Sequence, residues 1–236
     1  MDRRTFMFTS TGASVGSFLV RGTVDEHDAA EQPRPASGLL TGEPRPLRHL
    51  EVPGFLSAAQ IAPHHTAHYG GALRAFVGAE RAFDAQFGGG ATVDPMGAER
   101  LRQIQSSRGN SVILHELYFD GLALKANDPA PGIRAAIQRR FGTIDRWAAD
   151  FTASARSAAG WAMLVAHPVN GRLYNVVSDE HAQGTLWFAE PLIVIDTYEH
   201  AYYIDYQNRK NEYVDRFLAH VDWVEAERRW QRVARG

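Results

Sequence analysis

Pro191-Leu-Ile-Val-Ile195 running into Asp196-Thr-Tyr-Glu199-His200-Ala-Tyr-Tyr203 is the stretch on which the rest of the chain turns. Its first half is a short β-branched run of the kind that forms a buried strand. Its second half begins with a carboxylate at the strand end and follows it, four residues later, with an imidazole. A hard and a borderline donor on one short turn are half of a transition-metal site. Candidates for the other half lie upstream, in Pro63-His64-His65-Thr-Ala-His68-Tyr69 and in Leu114-His115-Glu-Leu-Tyr118-Phe119. If these segments meet, three imidazoles and one carboxylate surround a single metal.

Working outward, Gly160-Trp-Ala-Met-Leu-Val-Ala166 and Gly171-Arg-Leu-Tyr-Asn-Val-Val177 are two more short β-rich runs bounded by turn residues. With 191–195 they predict a small antiparallel three-stranded sheet. Helical patterns over 133–141 and 144–157 precede the sheet, and patterns over 198–206 and 211–233 follow it. Before residue 126 the pattern is helical throughout, over 57–83 and about 94–124, with the break Phe87-Gly-Gly-Gly90 between them. Two long helices with a short connection predict an antiparallel hairpin. Ser57 is a candidate N-cap, and Pro63 is expected to open the first helix, as proline suits a first turn. The predicted fold class is α+β: a long N-terminal α-helical hairpin over 50–126, then a C-terminal metal-binding domain over 127–236 with the sheet and its covering helices.

The 236 residues are 44% hydrophobic and 22% charged, with a formal net charge of −2, the profile of a globular chain with a real core. That charge gives no electrostatic reason to expect nucleic acid or an anionic membrane as partner. The absence of cysteine excludes disulfides, thiolate metal sites and cysteine nucleophiles, so any metal is held by nitrogen and oxygen. Arg3-Arg4 ahead of a mildly apolar, Gly/Ser/Thr-rich run to Val20 makes residues 1–21 resemble a twin-arginine export signal. Export to the periplasm or the extracellular space is the expectation. An uncleaved signal is the one membrane attachment the chain would retain. Residues 22–49, rich in Pro, Gly and acidic side chains, are expected to be a linker.

Taken singly, each of these residues has a plain explanation: a solvated or core pair at 64 and 68, a core residue at 115, a helix cap at Asp196. Together with Asn110, Tyr118-Phe119, Gly121-Leu122, Phe141-Gly142, Phe151, Gly160-Trp161, Tyr206, Asn208-Arg209, Tyr213 and Trp223, they resemble the iron/manganese superoxide dismutases, collinearly over about residues 50–230. The Asp-x-x-Glu-His-Ala-Tyr-Tyr segment is the most specific part. The resemblance implies that His64, His115, Asp196 and His200 bind one Fe or Mn ion per chain, with a solvent molecule as fifth ligand. It implies superoxide as substrate and dioxygen and hydrogen peroxide as products. It also implies a homodimer, in which Glu199 reaches the partner's copy of the final ligand and Tyr203 reaches the partner's copy of the gateway histidine, His68.

The chain departs from that family around the metal. Tyr198 stands where a Trp is usual, Met163 replaces a second Trp, and Ala72 occupies the position of a gateway tyrosine, with Tyr69 the candidate to reach the same channel. His181 and Gln183 both offer the side chain that donates to metal-bound solvent in the family, and alignment slightly favours His181. Such a donor tunes the metal's potential. His68, Tyr69, His181 and Gln183 are therefore the candidate catalytic residues. Two other readings stay open: a metal-binding member of the same fold without catalysis, and a metal enzyme acting on a small organic substrate.

Overall fold

In the computed structural model, which describes residues 34–88, 94–184 and 186–235, the two long helices are α3 (Gly70–Gly88) and α4 (Pro95–Asp120). Phe76 faces Gly109, where a side chain would press on its ring, and Glu80 faces Gln105, so the pair runs antiparallel as expected. Asp94 caps α4 by accepting from the Gly97 N–H at 2.9 Å, Pro95 fills the first helical position, and Gly121 ends the helix.

Pro63 neither opens nor breaks the preceding helix. It closes α2 (Ala58–Pro63), and the chain then winds on as a π-helical turn, His64–Tyr69, before α3 begins at Gly70. Proline has no N–H to give the preceding turn, which makes this a natural place for wider winding. Both His64 and His68 ride on that turn.

After α5 (Pro131–Phe141) and α6 (Ile144–Ser157), strands β1 (Trp161–His167), β2 (Arg172–Ser178) and β3 (Glu190–Asp196) form an antiparallel sheet in the order β2-β1-β3. Strand β1 is central and buried from Trp161 to Ala166, so it shows an unbroken apolar run rather than alternation. Its register sets Trp161 opposite both Ser178 and Asp196. That pairing brings the β2 exit and the β3 exit together.

The closing segments are more divided than the sequence suggested. A 3-10 turn (Glu199–Ala201) and α7 (Tyr203–Tyr206) precede α8 (Lys210–Phe217), a second 3-10 turn (Leu218–His220) and α9 (Trp223–Arg235). The helix expected over 211–233 is interrupted because Val221 bridges to Leu122 and Asp222 starts a new helix, accepting from the Glu225 N–H at 2.9 Å.

Pro35–Gly236 is one compact unit. The change near residue 126 is a change of secondary structure within one core, which draws Tyr69, Val112 and Tyr118 from the hairpin and Trp161, Ile195 and Tyr213 from the second half. The expected linker also folds before it ends. Gly38–Thr41 is a short helix, α1, with Gly38 buried and Ser37 capping it, and Arg45 and Arg48 form ion pairs with Asp120 and Asp222. The expected signal and residues 22–33 lie outside the described residues. Among the described residues no helix is long and apolar enough to cross a membrane.

Candidate metal centre

Four elements converge behind the hairpin. The π-helical turn carries His64, α4 carries His115, β3 ends in Asp196, and the 3-10 turn that follows carries His200; one donor atom from each lies within 4.8 Å of the others. The Nε2 atoms of His64, His200 and His115 stand 3.1, 3.3 and 3.6 Å from the same Asp196 oxygen, Oδ2. Asp196 and His64 are fully buried at the side chain, whereas the His200 side chain retains 20% exposure.

Each donor is held from behind. The other Asp196 oxygen accepts the Tyr198 N–H at 3.0 Å, which turns the chain off the strand and leaves Oδ2 facing inward. The Asp196 carbonyl accepts the Tyr213 hydroxyl at 2.8 Å. His115 Nδ1 lies 2.7 Å from the Ser111 carbonyl; a carbonyl can only accept, so Nδ1 carries the proton. Gln60, buried, donates to the His200 carbonyl at 2.7 Å and accepts the Ile204 N–H, fixing the turn on which His200 sits.

The protonation states suit a cation. Burial first, and then the neighbouring His64, push the His115 imidazole down to about 3, and burial likewise lowers His64. Burial alone would raise Asp196, but hydrogen bonds with His200 and His64 outweigh it and hold the carboxyl below its usual range. His115 Nε2 is then a bare acceptor, buried and without a hydrogen-bond partner, facing another acceptor across 3.6 Å. A positive ion between them resolves the repulsion. Donor atoms each about 2.1 Å from one ion at angles of 90–120° stand about 3.0–3.6 Å apart, which spans the three distances from Asp196 Oδ2, while the set as a whole lies within 4.8 Å. The residues present therefore fit the ion that the donor set implies.

Around these four residues, His68 stacks on His200 with ring centroids 3.8 Å apart, and burial followed by His200 pushes its imidazole down to about 4. His181 faces His115 at 6.4 Å and accepts Trp161 Nε1–H on Nδ1 at 3.0 Å, so its second nitrogen is the one that carries hydrogen. Gln183 does not share that position: it is exposed and hydrogen-bonds Glu180. Ser178 Oγ lies against the carbonyls of both Glu180 and Gln183, its single proton shared between them, and so closes this loop between the half-buried His181 and the exposed Gln183. The gateway assignment to Tyr69 also fails. Its phenol is buried, donates to Glu116 Oε1 at 2.9 Å and accepts the Arg45 N–H at 2.8 Å. Ala72 lies in the core, and Met163 is buried at the edge of a cavity of about 400 Å³ that His181 also lines. Tyr198 stacks on His200 at 5.2 Å and donates to the Asp179 carbonyl at 3.3 Å. Glu199 and Tyr203 are exposed beside the His200 turn.

Neither Ser111 nor Trp161 had been given a supporting role by the sequence. The i, i+4 spacing of Ser111 and His115 could have found the first; nothing local could have found the second, whose partner is twenty residues away.

Residues 129–229 match the family model for iron/manganese superoxide dismutases, C-terminal domain. The chain is 32% identical over 190 residues to superoxide dismutase [Mn] 2 of Haloferax volcanii, covering 80% of this chain and 94% of the relative. It is 34% identical over 186 residues to superoxide dismutase [Fe] of Cupriavidus metallidurans (76% and 91%), and 32% identical over 194 residues to superoxide dismutase [Fe] of Aquifex aeolicus (80% and 91%).

Proposed function

The chain belongs to the iron/manganese superoxide dismutase family, and from that premise we propose that it converts superoxide to dioxygen and hydrogen peroxide at the cluster of His64, His115, Asp196 and His200. The observation that carries the reading is the convergence of three Nε2 atoms on one buried carboxylate oxygen. An iron or manganese ion held there supplies one-electron chemistry between its 3+ and 2+ states, so that one superoxide is oxidised to dioxygen and a second, with two protons, is reduced to hydrogen peroxide.

The chain's own residues set the conditions. Three neutral imidazoles and one carboxylate place a single negative charge among the donors, and their burial keeps bulk water from three of the four. His200, the partly exposed member, lies on the side from which a small anion arrives, and His68 stacked on it borders that approach. His181, held by Trp161 with its ring 6.4 Å from that of His115, keeps its other nitrogen for an N–H, which supports a role as proton donor near the cluster.

Relatives of both metal names match, so the choice between Fe and Mn rests on metal analysis. Export through a twin-arginine signal and dimerisation through the Glu199 and Tyr203 face complete the proposal; the exposure of both side chains beside His200 supports the second. Purified protein is expected to hold about one Fe or Mn per chain and to consume superoxide, with His200→Ala abolishing both. Stoichiometric metal with no consumption above that of the free ion would overturn the enzyme reading. That result would favour the second reading, a metal-binding member without turnover, for which the specific observation is that neither position considered for the gateway phenol supplies one: Ala72 is core and Tyr69 bonds elsewhere.

A further inference from the structure

Glu116 directly follows the ligand His115, yet its carboxylate faces the other way, into the segment 35–48 that crosses the outside of the hairpin. Glu116 Oε1 accepts the Gly38 N–H at 2.8 Å and the Tyr69 hydroxyl at 2.9 Å. The same Tyr69 oxygen accepts the Arg45 N–H at 2.8 Å, and the Arg45 guanidinium sits 2.9 Å from Asp120 and 3.7 Å from Glu116. The Arg45 carbonyl accepts His65 Nε2–H at 2.7 Å. Every strap contact in this group lands on the two helical segments that bear the first two ligands: His65 adjoins His64, Tyr69 ends the same π-helical turn, and Glu116 adjoins His115.

We infer that Glu116, with Arg45 and Tyr69, positions the metal site: the strap locks the π-helical turn to α4 and so holds His64 and His115 at the spacing one ion requires. The physical reason lies in the winding. A π-helical turn is a rare, single-turn winding, and this one directly follows a proline that gives the preceding turn no N–H, so the hydrogen-bond ladder alone does not fix its pitch. A buried carboxylate that accepts from both the turn and the strap supplies the missing constraint. It can do so because its charge is balanced by Arg45 rather than left bare. None of these three side chains is among the four ligands, so the expected effect is on how long the metal stays bound rather than on which atoms bind it.

The inference rests on the metal-site reading, and metal content of the unmodified full-length protein is the control for that reading. Metal-loaded protein is challenged with excess chelator and the release rate is followed, alongside the optical spectrum of the Co²⁺-substituted form. Glu116→Ala is expected to accelerate release about tenfold, within the range seen when groups supporting metal ligands are removed, and to alter the Co²⁺ bands. Glu116→Gln keeps an oxygen that accepts both hydrogen bonds and is expected to return release to within about threefold of the original. A folded Glu116→Ala protein with unchanged release and spectrum overturns the inference, as does a Gln variant as fast as the Ala variant. Should Glu116→Ala fail to fold, Tyr69→Phe decides: it removes only the bridging hydroxyl, and release no faster than in the original chain overturns the inference. If the unmodified protein takes up no metal, it is the site reading that falls.

Discussion

Tyr213→Phe tests how firmly the second half of the chain seats Asp196. The Tyr213 hydroxyl donates to the Asp196 carbonyl at 2.8 Å, so its single proton is committed there, and Tyr118, 3.0 Å away, must be the donor to Tyr213. Both phenols are fully buried, and burial pushes the titration of each well up. Removing the Tyr213 hydroxyl deletes the bond to Asp196 and strands the Tyr118 hydroxyl in a dry core, an expected loss of about 2–4 kcal/mol. Tyr118→Phe leaves the Tyr213 bond to Asp196 intact and is expected to cost about 1 kcal/mol. The double variant loses the same bond to Asp196 but no longer strands a phenol, so it is expected to be no less stable than Tyr213→Phe alone. Urea unfolding of metal-free protein, followed by tryptophan fluorescence, reads all three without metal linkage, with the slope against urea unchanged between variants. Equal losses from the two single variants, or a strictly additive double, would refute the assigned donor order and with it the anchoring of Asp196.

Acid is expected to destabilise the metal-free fold through His115. Unfolded, it titrates near 6.5, and folded near 3, so between those values the unfolded chain binds more protons; stability present above about 6.5 declines as pH falls toward 3, measurable as a falling urea midpoint. Trp161→Phe removes the N–H that orients His181 and is expected to slow superoxide consumption severalfold while leaving metal content near one per chain; loss of metal instead would assign Trp161 to the ligands' support. Glu199→Ala is expected to shift the particle mass in light scattering from dimer toward monomer, and an unchanged mass would remove Glu199 from the proposed interface.

The helical hairpin, the three strands and the four clustered residues were legible because each rests on a local signal: apolar period, turn residues at run ends, and donors four apart on one turn. Helix α6 and the cap at Ser57, which accepts the Gln60 N–H, follow the same logic. Where local signals competed, the sequence misled. Pro63 looks like a helix start, yet it closes α2 and, giving the preceding turn no N–H, is followed by a π-helical turn instead. Val221 and Asp222 look helical, yet a bridge to Leu122 and a new N-cap split the segment. Residues 35–49 have a linker's composition but fold because Glu116, Asp120 and Asp222 offer their arginines and amides partners distant in the chain.

Residue identity by itself therefore determined the chemistry available: nitrogen and oxygen donors, no thiols, a strand ending in Asp196 with His200 one turn on. Only the tertiary structure decided which side chains use it. His181 bonds Trp161 beside the cluster while Gln183 is exposed and bonds Glu180, and Tyr69 serves a buried carboxylate instead of a channel. The reason is range: a donor set can be recognised from side-chain type and spacing, whereas the direction a phenol or amide faces is settled by partners tens of residues away that exist only once the chain has packed.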